Sequence, residues 1–121
     1  MTSFFRAGDV ILIDFPGVLG IKHGTAVVVS SGRYGTRRLD LIVGPITSRT
    51  AAAVGPADCV LQDWAAAGLP GPSAFRSLLA TIPPEANPKL VGRLTDADWK
   101  AVRACLRTAI AALETRPTGH D

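Results

Sequence analysis

The run of residues from Lys22 to Arg49 constrains the fold of this chain more than any other stretch. It contains two apolar segments, Ala26–Ser30 with three successive valines and Leu39–Val43. β-Branched residues favour an extended backbone, and the glycines between the two segments are typical of a hairpin turn. The run therefore predicts two antiparallel strands that hold polar loops, and binding side chains tend to lie on loops that a rigid sheet fixes in place.

The same run carries the positive charge of the protein. Residues 15–57 contain five Lys and Arg residues and one Asp, a surplus of four, whereas the whole chain has 13 basic and 10 acidic residues, a surplus of three. The residues outside this segment therefore sum to −1. A cationic segment of this kind favours a polyanionic partner such as nucleic acid.

Short strands separated by turn signals fill the rest of the chain before a final helix. Further strands are predicted at Val10–Phe15, Asp58–Gln62, Ala74–Ile82 and Lys89–Arg93. Residues Pro16–Ile21 read as a flexible loop with two glycines, and Lys22–Thr25 read as a second loop. A C-terminal helix is predicted after Thr95, a suitable N-cap with acidic residues in the following turn. Its apolar face is predicted to contain Trp99, Val102, Leu106, Ala109 and Leu113.

This pattern predicts a mostly β fold, a small antiparallel β-barrel with a C-terminal helix. We expect one domain over residues 1–114 and a flexible tail over residues 115–121. No segment approaches the ~20 apolar residues that cross a bilayer, and Arg6 comes too early for a signal peptide. We therefore expect a cytoplasmic protein.

The usual motifs for metal, phosphate-loop and nucleophile-elbow chemistry are absent from the sequence. Its two cysteines, Cys59 and Cys105, lack zinc-binding spacing and are expected to be buried small hydrophobes. We predict no metal and no other cofactor.

One cluster of polar residues does suit a chemical reaction. If the two central strands pair as a hairpin, the start of one and the end of the other lie at the same rim. The residues that meet there are Lys22, His23, Thr47, Ser48 and Arg49. This set suits RNA cleavage by the ribose 2′-OH, which needs a base, an acid, and charge or hydroxyl donors around the phosphorane. A histidine titrates near neutrality and can take either proton-transfer role.

Three of these residues also have a plainer structural interpretation. His23 beside glycine is also typical of an ordinary loop residue, and Thr47-Ser48 at a strand end is also typical of a turn cap. Asp14, the one polar residue in its apolar strand, is either a strand-end residue that bonds the next turn or a catalytic carboxylate. Base stacking is predicted for Tyr34, because its neighbours in the turn are cations and single-stranded RNA is commonly gripped by stacking. Those cations are Arg33, Arg37 and Arg38.

Five segments in this order resemble the PemK/MazF family of type II toxins, the mRNA interferases. They are Gly8–Leu12, Ala26–Ser30, Pro45–Ser48, Gly71–Arg76 and Val91–Asp98, and together they extend over nearly the whole chain. The resemblance implies an SH3-like β-barrel, a homodimer, and metal-independent endoribonuclease activity on single-stranded RNA. It also implies a cognate antitoxin peptide that occupies the RNA groove.

The family's residue roles carry over unevenly to this sequence. The resemblance gives Thr47 a role in stabilising the scissile phosphate, whereas Gly24-Thr25 stand where the family has an Arg-Pro pair whose arginine is catalytic. Lys22, His23 or Arg49 is then expected to supply the missing group. The residues expected to contact RNA are Gly24, Thr25, Arg33, Tyr34, Arg37, Arg38, Ser48 and Arg76.

Two alternatives to a ribonuclease toxin stay open at the level of sequence. One is a catalytically weakened or inactive member of the same family that binds RNA or an antitoxin in the basic groove. The other is an SH3-like adaptor without a nucleic-acid role, which the concentration of charge in one segment disfavours.

Overall fold

The computed structural model describes residues 5–17, 20–34, 40–53 and 55–113, which contain seven strands and one α-helix. The strands are β1 Asp9–Gly17, β2 Gly20–Val28, β3 Leu41–Thr47, β4 Asp58–Val60, β5 Ala74–Arg76, β6 Ala80–Ile82 and β7 Lys89–Arg93. The helix, α1, spans Asp96–Ala109, and 3-10 turns lie at Thr50–Ala52, Pro84–Ala86 and Ala111–Leu113. The predicted tail, residues 115–121, lies outside the described residues.

The seven strands form one antiparallel sheet in the order β4-β5-β3-β2-β1-β7, with β6 also paired to β3. The antiparallel sheet and the C-terminal helix confirm the predicted fold class, but the sheet is not closed into a barrel. Among the described strands, β4 and β7 end the order without pairing to each other. A turn after β4 packs against β7 instead, since a Cβ added to Gly92 would clash with the carbonyl oxygen of Ala67.

The central strands β1 and β2 are covered on both faces, as the continuous apolar run of β1 predicted. One face packs under α1 and forms the helix-side core, whose members include Val10, Val27, Phe75, Val102 and Leu106. The other face forms a second core with Ile11, Ile13, Ala26, Val28, Leu41 and Val43. Adjacent residues of each strand therefore belong to different cores, because side chains alternate across a strand.

The predicted loops between β1 and β2 are wrong, because both strands extend through them. Pairing continues beyond Leu12↔Thr25 to Gly17↔Gly20, so the described residues of Pro16–Ile21 are paired and residues 22–25 belong to β2. Val18 and Leu19 of the predicted loop lie outside the described residues. Gly20 has φ +125°, which a glycine tolerates and most residues do not. Residues 22–25, which were expected in a loop, thus lie on a paired strand.

The strand predicted over Ala74–Ile82 is two strands, β5 and β6, that both pair with β3. Ile46 pairs with Phe75, and Leu41 pairs with Ile82. The segment from Phe75 to Ile82 is therefore two residues longer than the segment of β3 from Leu41 to Ile46. The intervening residues leave the sheet, and the Ser77 hydroxyl donates to the carbonyl of Ala57 at 2.7 Å. β3 in turn runs on past its predicted end at Val43, and its predicted first residue, Leu39, lies outside the described residues.

The start of α1 is as predicted. The hydroxyl of Thr95 accepts a hydrogen bond from the backbone N–H of Asp98 at 3.3 Å, so Thr95 is the N-cap. Val102 and Leu106 are buried on the predicted face. The helix thus covers the helix-side core and joins the sheet through its first turn.

The predicted apolar face of α1 extends too far at its C-terminal end. Ala109 and Leu113 are exposed, and the helix ends at Ala109. Ile110 has an extended backbone, with φ −119° and ψ 111°, so the residues after it leave the helical spacing. The expectation for the cysteines is met by Cys105, which is buried, and in part by Cys59, which is half-buried.

Candidate active site

The predicted site residues at the end of β3 form a short polar turn. Thr47 pairs with Ala74 of β5, and its hydroxyl accepts a hydrogen bond from the backbone N–H of Arg49 at 3.1 Å. Ser48 and Arg49 are exposed. The threonine therefore caps the turn, as its plainer interpretation predicted, and the same turn presents a hydroxyl and a guanidinium to solvent.

The β2–β3 pairing confirms the predicted antiparallel hairpin but separates its candidate residues. The pairing of β2 with β3 ends where Ala26 pairs with Pro45, and this end of the pairing is termed the gap. Beyond it, β3 still pairs through its other edge with β5. Alternation along β3 places Thr47 on the same face as Pro45, and alternation along β2 places His23 on the face opposite to Ala26. His23 and Thr47 thus border the gap between the two strands from opposite faces of the sheet.

Arg76 lies on the face of the sheet that carries Thr47. It follows the core residue Phe75 on β5, so its side chain points away from the helix-side core. Its Nε lies 3.4 Å from Oδ2 of Asp58, but within the described part of the chain this buried nitrogen has no partner with hydrogen-bond geometry. We take the contact as an ion pair without a formed hydrogen bond, which leaves the guanidinium with donors for another acceptor.

The closest partner of His23 is Asp14, directly across the β1–β2 pair. The two residues are opposite each other in the register, and imidazole Nδ1 lies 2.7 Å from carboxylate Oδ1. The histidine side chain is 65% exposed and that of Asp14 29%. A carboxylate only accepts hydrogen bonds, so Nδ1 carries the proton of this bond, and Nε2 is left for a second partner.

This pair lines a cavity of about 200 Å³ at the end of β1, β2 and β7. Its walls are Leu12, Asp14, His23, Asn87 and Lys89. Lys89 pairs with Leu12, which is two residues before Asp14 and therefore on the same face of β1. From the sequence, Asp14 had two possible roles, and neither Lys89 nor Asn87 was identified as a site residue. The single carboxylate in an apolar strand was the one sequence signal for this cavity.

The other predicted RNA-binding residues lie apart from this cavity or outside the described residues. Arg33 is exposed in the turn after β2, and Tyr34 in the same turn is half-buried, with its backbone N–H bonded to Ser31. Gly24 and Thr25 are half-buried in β2. The residues and groups that lie outside the described part of the chain are Arg37, Arg38 and the side chain of Lys22.

The described residues contain no group of three or more His, Cys, Asp or Glu side chains placed to hold a metal ion. In the same residues, no helix is long and apolar enough to cross a bilayer.

Comparison with solved structures finds the same fold in MazF proteins. The MazE–MazF complex of Deinococcus radiodurans (form III) matches with a TM-score of 0.73 and 16% identity, covering 90% of this chain and 98% of that one. MazF alone from D. radiodurans (form I) matches at 0.69 and 18%, covering 91% and 99%. An endoribonuclease in complex with its cognate antitoxin, from a mycobacterial species, matches at 0.71 and 17%, covering 92% and 98%.

The TM-scores establish a shared fold, and a sequence model establishes the family. No curated protein matches the chain in a sequence search. The model of the PemK-like, MazF-like toxins of type II toxin-antitoxin systems matches residues 6–110, which is most of the chain. The protein therefore belongs to the PemK-like, MazF-like toxin family of type II toxin-antitoxin systems.

Proposed function

We propose that this protein is a metal-independent endoribonuclease that cleaves single-stranded mRNA in the cytoplasm at a short sequence. The observation that carries the proposal is the gap where β3 leaves β2, which a hydroxyl turn and a histidine border from its two sides. Family membership over residues 6–110 supports it. The exposed cations on this part of the sheet suit a polyanionic strand.

In the proposed reaction the 2′-oxygen of one ribose attacks the adjacent phosphorus while its proton passes to Nε2 of His23. The P–O5′ bond breaks, and the 5′-oxygen takes a proton from a cationic acid, for which Lys22 and Arg49 are the candidates. The phosphate is proposed to lie in the gap, where His23 reaches it from one face of the sheet and hydroxyl and guanidinium groups at Thr47, Ser48 and Arg76 stabilise charge on its oxygens from the other. The products are a 2′,3′-cyclic phosphate and a 5′-hydroxyl end.

The rest of the RNA strand is proposed to follow the turn after β2 and the gap itself. Arg33, Arg37 and Arg38 contact backbone phosphates, and Tyr34 stacks on a base. The RNA backbone approaches β2 most closely at Gly24 and Thr25, because these two residues have small side chains or none. This position holds no arginine, so His23 takes over the proton transfer that the family's arginine performs.

We also propose a homodimer whose RNA groove is filled by an antitoxin peptide in the inhibited state. Two of the similar structures contain an antitoxin, MazE in one and a cognate antitoxin in the other. An acidic, partly disordered segment matches the cationic run of residues 15–57.

The test is cleavage of a long unstructured RNA by purified dimer in excess chelator, with both ends of the products mapped. We expect discrete cuts that leave 5′-hydroxyl ends, and about a 100-fold or greater loss of rate in Thr47→Ala and in His23→Ala. Thr108→Ala is the matched control, because this exposed threonine lies on α1, away from the gap. Intact RNA with folded wild-type dimer would overturn the endoribonuclease and leave the non-catalytic binding module in its place.

A further inference from the structure

We infer that Asp14 is the positioning residue that aims His23 at the scissile phosphate, and that Lys89 binds an oxygen of the adjacent phosphate of the same RNA strand in the cavity between β1, β2 and β7. The inference rests on the proposed function and adds two residues to it. It explains how a chain with Gly24-Thr25 in place of the family's Arg-Pro pair keeps both a proton acceptor and a nearby cation.

Strand pairing fixes the geometry of the Asp14–His23 contact. The two residues are direct partners in an unbroken register that runs from Val10↔Val27 to Gly17↔Gly20. A proton held on Nδ1 by the carboxylate at 2.7 Å leaves the lone pair of the neutral imidazole on Nε2. This is the tautomer that accepts a proton from a 2′-hydroxyl, so the carboxylate sets both the orientation and the proton position of the base.

The surroundings of the pair favour a chemical role over a structural one. With the histidine 65% exposed and the aspartate 29%, the ion pair contributes little to folding. A cross-strand ion pair whose only role is to stabilise a hairpin does not need a cavity beside it. Here both side chains line one, together with Lys89 and Asn87.

Lys89 supplies the positive charge of that cavity. Lys89 lies on β7, which pairs with the edge of β1 that faces away from β2. The ammonium group of Lys89 and the imidazole of His23 therefore come from the two strands that flank Asp14. Within the described part of the chain, the ion pairs formed involve His23, Arg76 and Arg93, and Lys89 forms none. Among the described residues that line the cavity with His23, the charged groups are thus Asp14 from β1 and Lys89 from β7, and Asn87 adds a neutral amide. A phosphate diester, with one negative charge and two free oxygens, matches this set.

The experiment measures the histidine proton and the reaction separately in the intact dimer. Nitrogen-15 NMR of the neutral imidazole, assigned with His23→Gln, should find the proton on Nδ1 in the wild type. In Asp14→Asn the amide N–H donates to Nδ1, and we expect the proton on Nε2. Single-turnover cleavage of an RNA oligonucleotide should then fall about 10- to 100-fold in rate for Asp14→Asn with unchanged half-saturation. Lys89→Met should weaken half-saturation about 10-fold, and Lys89→Arg should restore most of it.

The controls keep this test apart from that of the proposed function. Glu85→Gln changes an exposed carboxylate on the neighbouring Pro84–Ala86 turn, and Lys100→Met removes an exposed cation from α1; both should cleave like the wild type. Loss of cleavage in Thr47→Ala with full activity in Asp14→Asn and Lys89→Met would overturn the inference and leave the proposed function standing. A wild-type proton on Nε2 would also overturn it. Wild-type protein that leaves the oligonucleotide intact would overturn the proposed function itself.

Discussion

Asp98 and Asp14 are carboxylates of one chain in opposite surroundings. Asp98 lies in the first turn of α1 and is 2% exposed. Its two oxygens accept hydrogen bonds from the backbone N–H groups of Gln62 and Asp63 at 2.9 and 2.8 Å. Its own N–H donates to the cap residue Thr95. Through these bonds one side chain joins the helix to the turn after β4.

Asp14, by contrast, has a histidine side chain as its partner among the described residues and stands at the edge of an open cavity. A buried carboxylate bonded to backbone donors stabilises the fold, because its loss strands groups that nothing else can satisfy. An exposed carboxylate bonded to a titratable ring contributes little to folding and controls the state of that ring. The two residues have the same side-chain chemistry, and their roles differ because Asp98 bonds to two backbone N–H groups whereas Asp14 bonds to a side chain.

The largest effect is expected at Asp98. Substitution Asp98→Ala removes a buried carboxylate that two part-buried backbone N–H groups share as acceptor, which costs about 3 kcal/mol of unfolding free energy. Urea denaturation of the dimer at fixed protein concentration measures this loss. Asp96→Ala, in the same turn but exposed, is the matched control and should cost about 0.5 kcal/mol through the helix dipole alone. Equal losses in the two variants would remove the distinction between the carboxylates.

A second effect, confined to alkaline pH, is expected beside Asp98, at the thiol of Cys59. Burial, together with smaller effects of Cys105, Asp98 and Asp58 in that order, raises the pKa of the Cys59 thiol from 9.0 to about 12. In the unfolded chain this thiol loses its proton near pH 9, while in the fold it keeps the proton until about pH 12. The folded state therefore binds more protons in this window, and stability falls as the pH rises through it; below pH 9 the thiol has no effect.

Urea denaturation of the wild type and of Cys59→Ala between pH 8 and 12 isolates this contribution. Other groups titrate in the same range in both proteins, so the difference between the two slopes belongs to Cys59. We expect the stability of the variant to fall less steeply above pH 9. Parallel curves would mean that the thiol is as well solvated in the fold as in the unfolded chain.

The sequence predicted the scaffold around Asp98 better than it predicted Asp98's role. The Thr95 cap and the acidic first turn are local signals, because they concern residues within one helical turn. That the carboxylate also bonds to residues 62 and 63, more than 30 positions away, depends on how the helix packs. No spacing in the sequence carries that information.

The candidate site was harder to predict because it depends on strand register. The sequence identified the β2–β3 hairpin and placed His23 near Thr47 by position along the chain. It treated residues 22–25 as a loop, however, and alternation has no meaning in a loop. Once β2 extends to Gly20, the side-chain alternation of a strand applies, and His23 points to the face opposite to Thr47. The partner of His23 then comes from β1, through the register Asp14↔His23.

The smallest effect on stability is expected at Asp14, and it sharpens the comparison most. Asp14→Asn removes an exposed ion pair, which contributes about 0.5 kcal/mol or less, and strands no backbone donor. Urea denaturation should thus separate this variant from the wild type by far less than Asp98→Ala, although the same substitution is expected to slow RNA cleavage by ten-fold or more. Added salt should shrink even this small difference, since exposed charges are screened. A loss near 3 kcal/mol would instead make Asp14 a second structural carboxylate, because only a group on which the fold depends costs that much to remove.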